Sequence, residues 1–376
     1  MSPDSRKRAS KSTVSSVLVL FAILVVLVYE ALTSGSLPFS QTATQMPPAE
    51  TVPVATGGWY SLYFTQPDSP KASLLRGGPD ESFAQAIRQA RLSVDVAAYQ
   101  FNLASLKNAL LDAQRRGVTV RMVTDSDYLD EEAVQALIAA GIPVLGDRRE
   151  GLMHDKFAII DRQEVWTGSM NYTDNGAYLN DNNLIRIRST RLAEDYLSEF
   201  EEMFVEDFFG PSSPANTPYS SLSINGELLQ VYFSPEDGTA DHLVELIRGA
   251  KQSIYFLAYS YTSDEIALAM IDRAKAGVTV AGVFETSQFR SNTGTEFEHL
   301  LSAGVDVRLD GNPRNMHHKV IILDGQTVVT GSYNFSASAE DRNDENTLVI
   351  HSPEIAAQFM AEYQRIFAAS QAEISQ

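Results

Sequence analysis

The chain has 376 residues, 44% hydrophobic and 20% charged, which is ordinary for a globular protein and long enough for two domains or for one domain of two similar halves. It has no cysteine, which excludes disulfides, thiol catalysis and cysteine-based metal sites. A formal net charge of −19 repels polyanions at long range and disfavours nucleic acid as the default partner.

The N-terminus is basic (Arg6, Lys7, Arg8, Lys11) and then apolar without interruption from Val17 to Tyr29. Weaker residues extend the run to about Thr13–Leu32, roughly the length a bilayer requires. The following ALTSGS is a poor small-x-small cleavage site. Residues 1–33 therefore read as an uncleaved membrane anchor in preference to a cleaved signal peptide, with the basic end cytoplasmic and the body outside. Residues 34–58, rich in Pro, Ser and Thr, read as a flexible linker.

From Trp59 onward strands and helices alternate. The pattern predicts a strand near Tyr60–Thr65, a helix over Glu81–Ala90, a strand over 92–101 and a helix over Ala104–Arg116 capped by Gly117. A strand over 118–125, a helix over Asp130–Ala140 and a short strand over 142–147 follow, and an amphipathic helix Thr190–Val205 closes the half. The chain then repeats itself. IRQARLSVDVAAY (87–99) matches IRGAKQSIYFLAY (247–259) at an offset of 160, and AGIPV (140–144) matches AGVDV (303–307) at 163. The three extra residues fall in TSQFRSNTG of the second copy, and loops at strand ends are where substrate contacts are expected. The repeats read as 59–209 and 226–370, joined by a Pro/Ser-rich connector at 210–225. The fold class that follows is α/β: two similar halves, each a central mixed sheet with helices on both faces, packed as a pseudo-two-fold dimer within one chain. Such a chain can work as a monomer.

Between the short strand and the closing helix lies a motif that occurs twice. HDKFAIIDRQEVWTGSMNYTDNGAYLNDNN (154–183) and HHKVIILDGQTVVTGSYNFSASAEDRNDEN (317–346) align at a constant offset of 163. Each begins as a strand, turns at Asp161 or at Asp324-Gly325, and returns through Gly-Ser-x-Asn. Residues two apart on a strand share a face, so His154 projects with Lys156, and His317 with Lys319. Gly168 and Gly331 are expected to let backbone approach a ligand. Ser169 and Asn171, with Ser332 and Asn334, are expected to join the two lysines in cradling one phosphoryl group. One imidazole then attacks phosphorus and the other exchanges the proton of the leaving and entering oxygens. The lysines neutralise the developing charge, so no metal or other cofactor is required.

Twenty-eight residues after the histidine stands Glu345 in the second copy but Asn182 in the first. Placed beside the histidine of its own copy, Glu345 would favour the imidazolium of His317 as acid, and Asn182 would leave His154 neutral as nucleophile. Asp181 is the alternative source of a carboxylate for His154. Asp161 and Asp324 complete the motif, but their odd offset of seven from each histidine turns them off its face, as residues that hold the hairpin. Arg148, Arg149 and Arg314 lie just before the motifs and either extend the anion site or form a solvated loop. Tyr99, Phe101, Tyr259 and Tyr261 end strands near the cleft and read as core before lipid contacts. His242, His299 and His351 have no comparable context.

H-x-K-x4-D followed by G-S-x-N, present twice, resembles the phospholipase D superfamily with its paired HKD motifs. The resemblance covers about residues 59–370 and brings Asp161 and Asp324 into the catalytic set with His154, Lys156, His317 and Lys319. It implies metal-independent phosphodiester cleavage through a covalent phosphohistidine, one active site between the halves, and the first-copy histidine as nucleophile. It also implies an acidic residue at the Glu345 position that orients a histidine; Asn182 departs from that. The expected substrate is a phospholipid, with a metal-independent endonuclease activity as the alternative.

Overall fold

Every residue of Ser93–Ala98 is buried, as befits a central strand covered on both faces. The computed structural model, which describes residues 55–371, builds a sheet around it. The first half contributes strands β1 (Ala55–Thr56), β2 (Tyr60–Phe64), β3 (Ser93–Ala98), β4 (Thr119–Thr124), β5 (Val144–Gly146), β6 (Lys156–Ile160), β7 (Glu164–Gly168) and β8 (Asn183–Arg188), ordered β1-β2-β8-β7-β6-β3-β4-β5. Only β3, β4 and β5 run parallel to their neighbours, with β3 antiparallel to β6, so the sheet is mixed. The second half contributes β9 (Ser221–Ile224), β10 (Glu227–Ser234), β11 (Ser253–Ala258), β12 (Thr279–Phe284), β13 (Asp306–Leu309), β14 (Lys319–Leu323), β15 (Thr327–Gly331) and β16 (Glu345–His351) in the same topological order. β9 lies inside the stretch read as a connector. The expected anchor and most of the linker fall outside the described residues, and among the described residues no helix is long and apolar enough to cross a membrane.

Helices α1 (Pro79–Gln89), α2 (Ala104–Arg115), α3 (Glu132–Ala139), α4 (Asp174–Tyr178) and α5 (Thr190–Phe204) belong to the first half. The second half has α6 (Thr239–Gly249), α7 (Asp264–Lys275), α8 (Thr286–Ser291), α9 (Phe297–Ser302), α10 (Ala337–Asp341) and α11 (Pro353–Ala369). α8 occupies the expected insertion. The outer face of each sheet has its own core, built on Phe83, Leu106 and Trp166 in one half and on Phe256, Ile266 and Met270 in the other. The inner faces share a single core with α5 and α11 between them, where Tyr196 meets Phe233, and Phe359 meets Phe64. α5 and α11 correspond residue for residue: Leu192 to Ile355, Tyr196 to Phe359, Phe200 to Tyr363, all buried. Each such side chain, fully buried, contributes about 1.5–3 kcal/mol.

The motif hairpins turn on paired positive φ angles: 53° and 55° at Asp161 and Arg162, and 53° and 64° at Asp324 and Gly325. The aspartate carboxylates tie each turn to the main chain that leads into the adjacent strand. Asp161 accepts from the amides of Arg91, Leu92 and Ser93, and Asp324 from those of Lys251, Gln252 and Ser253. The motif aspartates are thus fold residues placed away from the histidines, and their membership of the catalytic set is corrected. Gly168 (φ 148°) and Gly331 (φ 147°) are also structural: a Cβ would stand 2.4 Å from the Asn183 carbonyl and 2.2 Å from that of Asn346. It is the neighbouring strand, and no ligand, that demands glycine there.

Burial raises the Asp324 pKa, but the three amides outweigh it and hold the group below its ordinary value. Its stabilising effect is therefore complete above the unfolded carboxylate pKa and lost as pH falls through the lower folded one. Asp324→Asn should cost about 2 kcal/mol at neutral pH by denaturant unfolding, with the gap to wild type closing in acid. A neutral substitution would refute this role.

Candidate active site

The histidines do not lie within the motif strands; they immediately precede them, and main chain from the opposite half holds them. His154 N donates to Asp344 O at 3.0 Å, and His317 N donates to Asp181 O at 2.9 Å. Short parallel bridges join Met153 to Asp344 and Asp181 to Met316. Each histidine is thereby presented to the residue that follows its bridge partner, and that residue belongs to the other copy. His154 Nδ1 meets Glu345 Oε2 at 2.7 Å. His317 Nδ1 meets Asn182 Oδ1 at 3.0 Å and the Ser169 carbonyl at 3.1 Å.

This crossing corrects the within-copy pairing read from the sequence. Glu345 orients His154 and Asn182 orients His317; the Asp181 carboxylate pairs with Arg365 and reaches neither ring. The Asn182 rotamer is set by its NH2, which donates to the Gly176 carbonyl at 2.9 Å, and by Ser169 Oγ, which donates to Oδ1 at 2.9 Å. An amide oxygen only accepts, so His317 carries its proton on Nδ1 and turns Nε2 to the site. Ser169 and Ser332 do not cradle phosphate. Both are buried, and their hydroxyls accept from the amides of Asn183 and Asn346 at 3.1 and 2.9 Å.

Both imidazoles open into one cavity of about 560 Å³, within the usual range for a small-molecule site. Asn171 and Asn334 line it as expected, and each keeps a buried Oδ1 without a partner. Tyr99 and Tyr259 line it as well. Each packs edge-on against its histidine, with centroids 4.7 Å and 4.4 Å apart. Phe101 and Tyr261, by contrast, are core. Gln100, Asn175, Asn315 and Gln288 complete an amide-rich wall, Gln288 coming from the inserted α8. The symmetric pair Tyr99 and Tyr259, at the 160 offset beside repeated strand ends, is the available signal for these ring contacts. The amides left none. Arg148, Arg149 and Arg314 stay out of the cavity; the first two pair with Asp207 and Asp344.

The lysines stand beneath the rings. Lys156 Nζ donates to the His154 carbonyl at 2.5 Å and lies 5.1 Å from the Tyr99 ring. Lys319 Nζ is 3.2 Å from His317 Nε2 and 4.5 Å from the Tyr259 ring. Both are about 1% exposed. Burial pulls Lys156 down to about 8 and Lys319 well below its ordinary value. Burial and the two ammoniums likewise push both histidines well below the usual imidazole pKa. Glu345 is pushed by burial up to about 8, against the pull of Lys156. In the form that attacks, the pair holds a single proton on the Oε2–Nδ1 line, which leaves a nucleophilic lone pair on Nε2.

The family described as "Cardiolipin synthase, PLD-like domain" matches residues 83–204 and 243–367 of this sequence. A phospholipase D of Rickettsia bellii is 32% identical over 142 residues, 38% of this chain and 70% of that protein. A mitochondrial cardiolipin hydrolase of Xenopus laevis is 36% identical over 132 residues, 34% of this chain and 63% of that protein. A phosphatidylserine synthase structure from Haemophilus influenzae shares the fold with a TM-score of 0.63 at 14% identity, covering 84% of this chain and 89% of its own.

A base that must be neutral to attack loses activity as pH falls through its pKa. The depressed His154 therefore places the acid limb of kcat/KM well below pH 6.5, while Lys156 deprotonation places the alkaline limb near 8. Glu345→Gln should lower kcat roughly 10²- to 10⁴-fold, as loss of a histidine-orienting carboxylate does. Asn182→Ala should act on protonation of the leaving group and cost less for substrates with acidic leaving alcohols. Equal losses for all leaving groups in Asn182→Ala would contradict the crossed assignment.

Proposed function

The chain belongs to the family of phospholipase D-like domains, and on that premise we propose that it is a phospholipase D-type phosphodiesterase that hydrolyses or transfers phosphatidyl groups through a covalent phosphohistidine. The observation that carries this reading is the single cavity shared by His154 and His317, each braced from the opposite half. The substrate phosphodiester is an anion. On entering, it cancels the field of Lys156 and Lys319 that depresses His317, and the imidazolium needed as an acid forms with substrate bound. His154 Nε2 then attacks phosphorus. The bond to the head-group oxygen breaks, and that oxygen leaves as an alcohol with the proton from His317 Nε2.

The proton shared with Glu345 settles on His154 Nδ1 as the ring becomes cationic, so the carboxylate stabilises the intermediate. Water or an acceptor alcohol gives its proton to His317 and displaces His154 from phosphorus, which restores both rings. The two ammoniums supply the positive charge at the equatorial oxygens, so the chemical step is metal-independent.

Names of relatives, phospholipase D and cardiolipin hydrolase, favour a phospholipid substrate. So do the acidic body and the basic, apolar N-terminus, which we read as an anchor holding the body outside the cytoplasm. A second reading, a metal-independent endonuclease, draws on the amide-rich cavity wall, where Leu152 is the sole aliphatic residue among those described. The deciding experiment incubates the purified protein at 25 °C in EDTA with vesicles of defined head group and with oligonucleotides. The expected result is release of a head-group alcohol with the oligonucleotides intact. Oligonucleotide cleavage without lipid turnover would establish the second reading, and complete loss of activity in EDTA from protein that circular dichroism shows still folded would end the metal-free mechanism.

A further inference from the structure

The two halves differ in charge at one buried place behind the active site. In the second half, His318 Nε2 lies 3.2 Å from Glu362 Oε1. Arg365 grips the same Glu362, Nε to Oε2 at 2.9 Å and Nη2 to Oε1 at 2.7 Å, and also pairs with Asp181. A guanidinium thus sits between two carboxylates. At the 163 offset Asp155 stands for His318, Glu199 for Glu362 and Glu202 for Arg365 in the first half, and Asp344 of the second half stands for Asp181. Both basic members are replaced by acids. Glu236, in the turn after β10, adds another carboxylate from the second half.

Basic side chains reach only the edge of this group: Arg149 pairs with Asp344, and Lys156 lies beside Asp155. Glu199, Glu202 and Glu236 form no ion pair among the described residues. Glu199 is 2% exposed and Glu202 4% exposed. Glu199 Oε1, Glu202 Oε2 and Glu236 Oε2 are buried without a hydrogen-bond partner. One ligand oxygen from each of the three lies within 4.8 Å of the others. That is the span of oxygens on opposite sides of a calcium ion, each about 2.4 Å from the metal. Buried carboxylates with free lone pairs are costly unless something positive meets them.

We propose that Glu199, Glu202 and Glu236 bind a divalent cation, calcium by preference, in the place that the Arg365 guanidinium holds in the other half. Purely carboxylate donors select a hard cation over zinc or copper. None of the three residues lines the catalytic cavity, so the ion is structural. It joins α5 of the first half to the β10 turn of the second and so fastens the interface on which the histidine bridges depend.

The test uses the full-length protein, stripped with chelator, at pH 7.5. Calcium chloride should raise Tm by about 5 °C over EDTA, and calorimetric titration should give one calcium per chain. Glu202→Arg copies the arrangement that the second half already folds around. It should abolish calcium binding and the Tm response while unfolding in EDTA near the temperature of the calcium-loaded wild type. Glu236→Gln should weaken binding at least ~10-fold. The proposal is overturned if millimolar calcium, magnesium and manganese all leave Tm unchanged, or if the calcium response survives both substitutions. It is also overturned if Tm rises from about pH 8 to about pH 6 while indifferent to cations, because protons would then be neutralising the cluster.

Discussion

The site depends on a pair of main-chain exchanges across the interface. His154 N donates to Asp344 O and Asp344 N to Leu152 O at 2.9 Å; His317 N and Asp181 N repeat the pattern with Asp181 O and Asn315 O. Backbone bonds of this kind fix φ and ψ of the residues they join, so each imidazole is aimed by the opposite half before any side chain acts. Side chains then lock the seam. Thr167 Oγ1 donates to Asn346 Oδ1 at 2.6 Å, and Thr330 Oγ1 donates to Asn183 Oδ1 at 2.9 Å. Neither half holds its own histidine, and a half alone would lack the group that orients it.

Pseudo-symmetry supplies two equivalent imidazoles, but the two steps of a phosphodiester displacement require unequal ones. The inequality comes from one substitution, Glu345 against Asn182. A carboxylate on Nδ1 can accept the proton of a ring that becomes cationic on attacking phosphorus. An amide oxygen can only hold Nδ1–H in place and leave Nε2 to exchange protons with the substrate oxygens. The rest of the pocket is common to both rings: a buried lysine below, a tyrosine edge beside, an asparagine at the rim. Burying these charges together is unfavourable without an anion, so the cavity complements a phosphodiester electrostatically.

Much of this was legible in the sequence because duplication gives an internal alignment. The constant 163 offset identified His154, Lys156 and Asn171 with their partners, and the Asp-Gly turn marked the hairpin. The hairpin-holding role read for Asp161 and Asp324 agrees with the three backbone amides on each carboxylate. The histidines precede the strands, however, so strand period does not relate their faces to those of the aspartates. The resemblance that placed them in the catalytic set was the weaker guide. Spacing describes neighbours within a copy, and so it paired Glu345 with His317; the crossing is a property of how the halves dock. Ser169 and Ser332 were misread for a related reason. Their distance from the histidine fits a phosphate cradle, but their hydroxyls are consumed by the Asn183 and Asn346 amides of the adjacent strand. His318 carried no motif of its own, and its pairing with Glu362 became visible only once α11 was folded onto the sheet.

The central claim is that His154, oriented from the other half by Glu345, forms the bond to phosphorus. Acid quenching during turnover of a 32P-labelled substrate, followed by peptide mapping, reads this directly. The account predicts label on the peptide containing His154, retained in His317→Asn when the leaving alcohol is acidic and absent in His154→Asn. Label on His317, or label that persists without His154, would contradict it.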